Sequence, residues 1–154
     1  MKKKLFIIIP LIILIIISLI FILKKDKSEK FYLEDKYYNS KEVVQIDKAK
    51  YEDLVNNKES FVVFVYQPAC YVSEGLERVV NEFQNKNNIS YYKIAFSEIK
   101  TSEKAEFLKY YPSFIIFNKG KQVAFLDSSA KEHVPYYEDI NEFTKWFYEK
   151  VLKK

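Results

Sequence analysis

The chain has 154 residues, of which 49% are hydrophobic and 30% are charged, with only 2 Gly and 4 Pro. This composition fits one compact domain and excludes collagen-like, solenoid and disordered proteins. The single Cys excludes an intramolecular disulfide, and one Cys with one His does not supply the usual ligands of a structural zinc ion, so we expect no metal and no cofactor.

The net charge of +4 belongs to the N-terminus alone. Residues 1–30 contain seven Lys against Asp26 and Glu29, whereas the remaining residues carry a net charge of −1. Binding of nucleic acid needs Lys and Arg clustered on the folded part of the chain, so we expect no nucleic-acid partner. The single Arg among 25 basic residues indicates an AT-rich genome and predicts a bacterial source.

An apolar segment follows the short basic tail at residues 1–4. Leu5 to Leu23 is a run of 19 residues in which only Pro10 and Ser18 are not strongly apolar. A helix of this length crosses a hydrocarbon core of about 30 Å. A cleaved signal peptide is the alternative, but its apolar region has about 7 to 15 residues and ends in small side chains. We therefore predict an uncleaved membrane anchor at residues 5–23.

The predicted orientation of this anchor depends on the short basic tail at residues 1–4. Lys residues flank the apolar run on both sides, so the positive-inside rule does not decide the orientation. The tail resembles the basic start of a secretory signal, which predicts a single-pass cell-membrane protein with residues 1–4 in the cytoplasm and its domain outside. Residues 24–41 are charged and without sustained periodicity, which predicts a tether to a domain at residues 42–154.

Strand and helix patterns alternate from residue 42 onward. Val43 to Ile46 predicts a strand, and Asp47 is a candidate N-cap of a helix that ends near Asn57. Phe61 to Tyr66 is an unbroken run of β-branched and aromatic residues. Such a run predicts a central strand that is covered on both faces.

Cys70 lies at the start of the next predicted helix. A short turn, Gln67-Pro68-Ala69, separates it from the central strand. Apolar residues then recur with helical spacing as far as about Lys86, at Leu76, Val79, Val80 and Phe83. A Cys at a helix N-terminus meets the positive end of the macrodipole and free N–H groups, which favour the thiolate.

The second half of the domain is predicted to contain three strands and two helices. Ser90 to Phe96 predicts a strand. Ser102 to Tyr110, with Ala105 and Leu108 three residues apart on one face, predicts a short helix that ends before Pro112. Ser113 to Phe117 and Gln122 to Leu126 predict a hairpin in which Gly120 supplies the positive φ of the turn.

A last helix is predicted from about Tyr136. Its apolar stripe, which we assign to the core with Trp146 beside it, consists of Ile140, Phe143, Phe147 and Val151. His133 lies in the charged loop before this helix and is expected to be solvated.

Two segments resemble the thioredoxin family. Phe64 to Ser73, FVYQPACYVS, is similar to the family's active-site segment, and Tyr111 to Gly120, YPSFIIFNKG, is similar to its cis-proline hairpin. The resemblance covers about residues 42–152 and implies an α/β fold with a central mixed β-sheet flanked by helices. Within the family, the Tyr-x-Pro-x-Cys lead-in looks like the thioredoxin-like bacteriocin transport accessory proteins of Gram-positive bacteria.

Two residues depart from the family pattern. Ser73 stands where the family has its second Cys, and Phe64 stands where the family buries a proton-relaying Asp. We expect Cys70 to be the catalytic nucleophile and Ser73 to donate a hydrogen bond to its thiolate. A hydroxyl does not attack a mixed disulfide, so an external thiol must release the partner.

The resemblance also implies a binding site for an extended peptide. Pro112 would be the cis proline, and the backbone of Tyr111 would pair with a peptide that lies across Cys70. The peptide would belong to an exported protein if the domain lies outside the cytoplasm.

Two functions remain open at this point. One is a membrane-tethered protein in monothiol thiol-disulfide exchange, which the retained attacking Cys70 favours. The other is a redox-silent module that holds a peptide or partner, which the absence of a second Cys favours. A lone buried Cys is also commonly an inert packing residue.

Overall fold

The computed structural model describes residues 29–154. Five strands form one mixed sheet in the spatial order β1-β3-β2-β4-β5. The strands are β1 (Val43–Gln45), β2 (Val62–Tyr66), β3 (Tyr91–Ala95), β4 (Ser113–Asn118) and β5 (Lys121–Phe125). The helices are α1 (Lys48–Asn56), α2 (Tyr71–Asn87), α3 (Phe96–Ile99), α4 (Val134–Glu138) and α5 (Ile140–Tyr148).

Strand β2 is central, as the apolar run at residues 61–66 predicts. It pairs with β3 in parallel and with β4 in antiparallel orientation. Its residues from Val62 to Val65 are fully buried. Because Val65 pairs with Ser113, the end of β2 lies beside the start of β4. The segment that follows Tyr66 and the segment that precedes Ser113 therefore share one end of the sheet, called the site end below.

Helices α1 and α2 confirm the predictions from their caps and periodicity. Asp47 caps α1, because its carboxylate accepts the N–H of Lys50 at 2.8 Å. Helix α2 buries one apolar face against the sheet. That face consists of the predicted residues Leu76, Val79, Val80 and Phe83.

The segment at residues 31–38 packs on the domain, which corrects the prediction of a tether up to residue 41. The N–H of Phe31 bonds to the carbonyl of Lys150 at 3.0 Å, and Phe31 forms a parallel bridge with Val151. Three of its apolar side chains are buried, at Leu33, Tyr37 and Tyr38. The segment has no periodicity because its backbone is irregular, yet its side chains enter the core. The domain boundary predicted at residue 42 is too late.

The helix predicted for residues 102–110 is wrong over most of that range. The helical turn comes earlier, in α3, and only a 3-10 turn at Glu103–Ala105 follows it. Ser102 caps that turn with its side-chain oxygen. Leu108 is buried as its spacing predicts. The apolar spacing therefore indicates burial correctly, but a tight turn satisfies it as well as an α-helix does.

The C-terminal helix is divided in two, which differs from the single helix predicted from about Tyr136. Helix α4 carries Pro135 in its first turn and ends at Glu138. Asp139 then caps α5, with its carboxylate accepting the N–H of Asn141 at 2.6 Å. The predicted stripe still faces the core, since Phe143 and Phe147 are fully buried. The cap at Asp139 explains the break.

The β4–β5 hairpin turns as predicted at Gly120, whose φ is +71°. A Cβ atom at this position would lie 2.2 Å from the carbonyl oxygen of Val55. Both the backbone conformation and the close approach therefore require glycine here. The turn lies at the opposite end of the sheet from the site end, and this opposite end, which the segment at residues 31–38 covers, is called the closed end below.

Within residues 29–154, none of the helices combines the length and the apolar character that a membrane crossing needs. The predicted tail at residues 1–4 and the predicted span at residues 5–23 lie outside the described residues.

Candidate functional site

Cys70 is the N-cap residue of α2, the longest helix among the described residues. Its backbone is extended, with φ −111° and ψ 116°, and its thiol is free and partly exposed. The sulfur is thus placed at the end of a 17-residue helix, where unpaired N–H groups and the macrodipole favour negative charge.

Ser73 acts on Cys70 from the first turn of the same helix. The N–H of Ser73, and after it the hydroxyl of Ser73, holds the pKa of the Cys70 thiol below its ordinary value, against a smaller opposing effect of burial. The Ser73 side chain is buried, and its oxygen accepts the N–H of Gln67 at 3.1 Å. This bond uses a lone pair of the hydroxyl and leaves its hydrogen for the sulfur.

The Tyr111–Pro112 peptide bond is cis, as the resemblance implies. Two side chains hold this loop. The hydroxyl of Ser128 donates to the carbonyl of Tyr111 at 3.0 Å, and the hydroxyl of Tyr137 donates to the carbonyl of Pro112 at 2.9 Å. The carbonyl of Tyr111 keeps one lone pair for a further hydrogen bond.

Apolar side chains are exposed around Cys70 and the cis-proline loop. Tyr71, directly after Cys70, is 81% exposed. The other large apolar residues exposed in this part of the molecule are Val72, Tyr110, Tyr111 and Val134. Clustered exposed apolar residues mark surfaces that bind other molecules more often than scattered ones do.

Three features of the site were missed from the sequence. Ala69, directly before Cys70, has a φ of +56°, a left-handed conformation that is strained for a residue with a Cβ atom. The contacts of Ser128 and Tyr137 join segments far apart in the chain, and neither residue lies in a local motif. His133 is also not simply solvated, because its Nδ1 accepts the N–H of Asp127 at 2.8 Å.

The two departures from the family pattern have different surroundings. Phe64 is fully buried in β2, where an apolar ring needs no partner. Ser73 is buried and hydrogen-bonded beside Cys70. Among the described residues, no three His, Cys, Asp or Glu side chains are grouped so that they could hold a metal ion.

Neither a protein-family model nor a curated protein matches the sequence. Solved structures with a similar fold do match. A mutant thioredoxin from Halobacterium salinarum has a TM-score of 0.55 and 16% identity over 74% of this chain and 96% of its own. Thioredoxin O2 from Arabidopsis thaliana has a TM-score of 0.53 and 13% identity over 73% of this chain and 95% of its own.

A thioredoxin from Malassezia sympodialis has a TM-score of 0.53 and 12% identity over 70% of this chain and 90% of its own. The fold is that of thioredoxin. At these identities the likeness extends to the fold alone, and the chemistry of this chain must be argued from its own residues.

Proposed function

We propose that Cys70 carries out monothiol thiol-disulfide exchange with a partner polypeptide held at the site end. The observation that carries this proposal is the Cys70 sulfur at the N-terminus of α2, with its pKa lowered by the N–H and hydroxyl of Ser73. The cis-proline loop and the exposed apolar residues beside it give a surface on which an extended polypeptide can lie.

The exchange has two steps. The Cys70 thiolate attacks one sulfur of a partner disulfide, a bond forms between that sulfur and Cys70, and the partner's other sulfur leaves as a thiolate. A small external thiol then attacks the partner sulfur of the mixed disulfide. Cys70 leaves as thiolate, and the external thiol remains bonded to the partner. Ser73 cannot take the place of this external thiol.

Membrane attachment is part of the same proposal. The apolar run at residues 5–23 supports a single membrane anchor, and the basic tail at residues 1–4 supports a domain outside the cytoplasm. The partner would then be an exported protein. Protease added to intact protoplasts is expected to digest the domain. Protection of the domain until the membrane is broken would contradict this orientation.

The reactivity of Cys70 tests the exchange. Full-length protein mixed with an aromatic disulfide that releases a coloured thiol is expected to form a covalent adduct, which turns over only when a small thiol is added. Cys70→Ala should form no adduct, and Ser73→Cys, which restores a second thiol, should shorten the life of the adduct. Alkylation of Cys70 should be half-maximal at a pH below about 8.5, the ordinary pKa of a Cys thiol.

A redox-silent binding module is the second candidate. The exposed apolar residues at the site end favour it, because they serve binding whether or not the thiol reacts. The similarity to bacteriocin transport accessory proteins stays a prediction from the lead-in motif and fits this candidate. If Cys70 is unreactive at pH 8 in the folded protein and reacts only after denaturation, thiol-disulfide exchange is excluded. The binding module then remains as the proposed function.

A further inference from the structure

A groove runs beside the site end, between α2 and α4. It has a volume of about 480 Å³, and Val72, Val79 and Tyr137 supply apolar side chains to its lining. A smaller cleft of about 150 Å³ shares Val72 and Tyr137 with the groove and also includes Ser128. Because Ser128 bonds to the carbonyl of Tyr111, the groove continues the surface beside Cys70 and the cis-proline loop.

Gly75 lines the groove in the second turn of α2. A Cβ atom at this position would meet nothing within 4 Å. Glycine inside a helix lowers stability relative to alanine, and this position needs neither a positive φ nor a close approach within the described chain. The space above Gly75 therefore gives this chain no packing advantage, but it is free to receive a side chain from another molecule.

The charges at the rim of the groove favour a cation. Glu138 is exposed on α4 and forms no ion pair with the other residues described between 29 and 154. Arg78 lies on α2 four residues after Glu74, a spacing at which the carboxylate offsets the charge of the guanidinium along the helix. Of the two carboxylates that line the groove, Glu82 pairs with Lys86 at 2.7 Å, so Glu138 is the one without an ion pair among the described residues.

We infer that this groove binds an extended segment of the partner polypeptide, with an aliphatic or aromatic side chain over Gly75 and a Lys or Arg beside Glu138. The inference rests on the proposed function, because the same polypeptide would continue from the surface at Cys70 and Pro112. It adds the class of polypeptide that is selected: one with an apolar residue and a basic residue close together, a short distance from the disulfide.

Peptide selection tests the inference with probes that cannot undergo exchange. A phage library of random 12-residue peptides without cysteine is selected on immobilised full-length protein. Gly75→Leu fills the groove with a good helix former, and Asn85→Leu is the matched control, because it adds the same side chain to an exposed position of α2 that does not line the groove. Peptides enriched on the wild-type protein should pair an apolar with a basic residue.

Burial of one apolar side chain predicts that Gly75→Leu weakens binding of these peptides by about tenfold or more, while Asn85→Leu leaves it unchanged. Glu138→Lys should also weaken binding, and peptides in which the basic residue is replaced by Glu should prefer this variant. If Gly75→Leu does not fold, Glu138→Lys with its charge-swapped peptides decides alone. Equal binding to wild type and the groove variants, or no enrichment on wild type, would overturn the inference.

The same peptides are measured on Cys70→Ser, where binding should persist. If the peptides bind but Cys70 is unreactive, the proposed exchange is wrong and the inference about the groove stands. If Cys70 reacts but the peptides do not bind at the groove, the proposed exchange stands and the inference about the groove is wrong.

Discussion

The two glycines of the chain lie at opposite ends of the sheet and in opposite surroundings. At the closed end, Gly120 has a positive φ, and a Cβ atom there would collide with the backbone of Val55. At the site end, Gly75 lies in a helix, and a Cβ atom there would meet nothing. The first glycine is required by the fold, whereas nothing in the described fold requires the second.

The same contrast extends to the neighbouring apolar residues. At the closed end, Leu33 and Tyr37 from the N-terminal segment are buried. At the site end, Tyr71 and Val72 are exposed, although they are just as apolar. Substitutions at the closed end should therefore lower stability and leave thiol chemistry alone, whereas thiol chemistry should respond only to substitutions at the site end. The following predictions test this separation.

Leu33→Ala should have the largest effect. Leu33 is 2% exposed, and removing a buried leucine side chain costs about 3 kcal/mol of unfolding free energy, from lost burial and the cavity that remains. Urea unfolding followed by circular dichroism measures this change. The rate of Cys70 alkylation in folded protein should stay the same. A slower or faster rate would mean that the two ends are coupled.

Gly120→Ala should cost about 2 kcal/mol, because alanine in a left-handed conformation is strained and its Cβ atom meets the Val55 carbonyl. The midpoint of urea unfolding should fall with an unchanged m-value. A neutral effect would mean that the hairpin moves freely away from α1, and the description of this end as closely packed would be wrong.

Ser73→Ala should alter both stability and reactivity. The partly buried N–H of Gln67 loses its acceptor, which costs about 1.5 kcal/mol. The Cys70 thiolate loses the hydroxyl but keeps the N–H of residue 73, so the pKa of the thiol should rise part of the way to its ordinary value. The pH dependence of Cys70 alkylation should therefore shift to higher pH. If it does not shift, the backbone N–H groups alone lower the pKa of the thiol.

The lowered pKa of Cys70 also links stability to pH. A thiol whose pKa is lower in the folded state adds stability that is complete above the unfolded pKa of about 8.5 and is lost as pH falls through the folded pKa. The difference in unfolding free energy between wild type and Cys70→Ala should therefore grow in favour of wild type as pH rises toward 8.5. A constant difference across this range would contradict a stabilised thiolate.

Gly75→Ala should have the smallest effect and the opposite sign. It should raise the unfolding free energy by about 0.8 kcal/mol, because alanine is the better helix former and the added methyl group meets no atom. Thermal unfolding beside Gly120→Ala gives a direct comparison of the two glycines. Loss of stability would mean that the space above Gly75 is occupied in solution by another part of the chain.

The sequence predicts those elements whose pattern of apolar residues is compatible with only one kind of secondary structure. The apolar run at residues 61–66 fits only a central strand, and Asp47 before an amphipathic segment fits only a helix start. The spacing of Ala105 and Leu108 fits an α-helix and a 3-10 turn equally, so the helix predicted there is wrong. Leu33 and Tyr38 are buried from an irregular backbone, which has no period to detect.

The features of the candidate site also fall into those that the sequence predicts and those that it does not. Cys70 and Pro112 could be placed from local motifs, because Cys70 lies between a predictable strand and a predictable helix, and Pro112 directly precedes a predictable strand. The support given to the cis-proline loop by Ser128 and Tyr137 depends on contacts between distant segments. The left-handed conformation of Ala69 has no signal in its residue type, since alanine rarely adopts it.

The bridge between Phe31 and Val151 fixes where the chain enters and leaves the domain. Both points lie at the closed end, near the last turn of α2, where the hydroxyl of Tyr148 bonds to Asn87 at 3.1 Å. Helix α2 is about 25 Å long, and Cys70 is at its other end. A dye, bead or fusion partner attached at either side of this bridge is therefore held away from the thiol, and immobilised protein presents Cys70 to the solution.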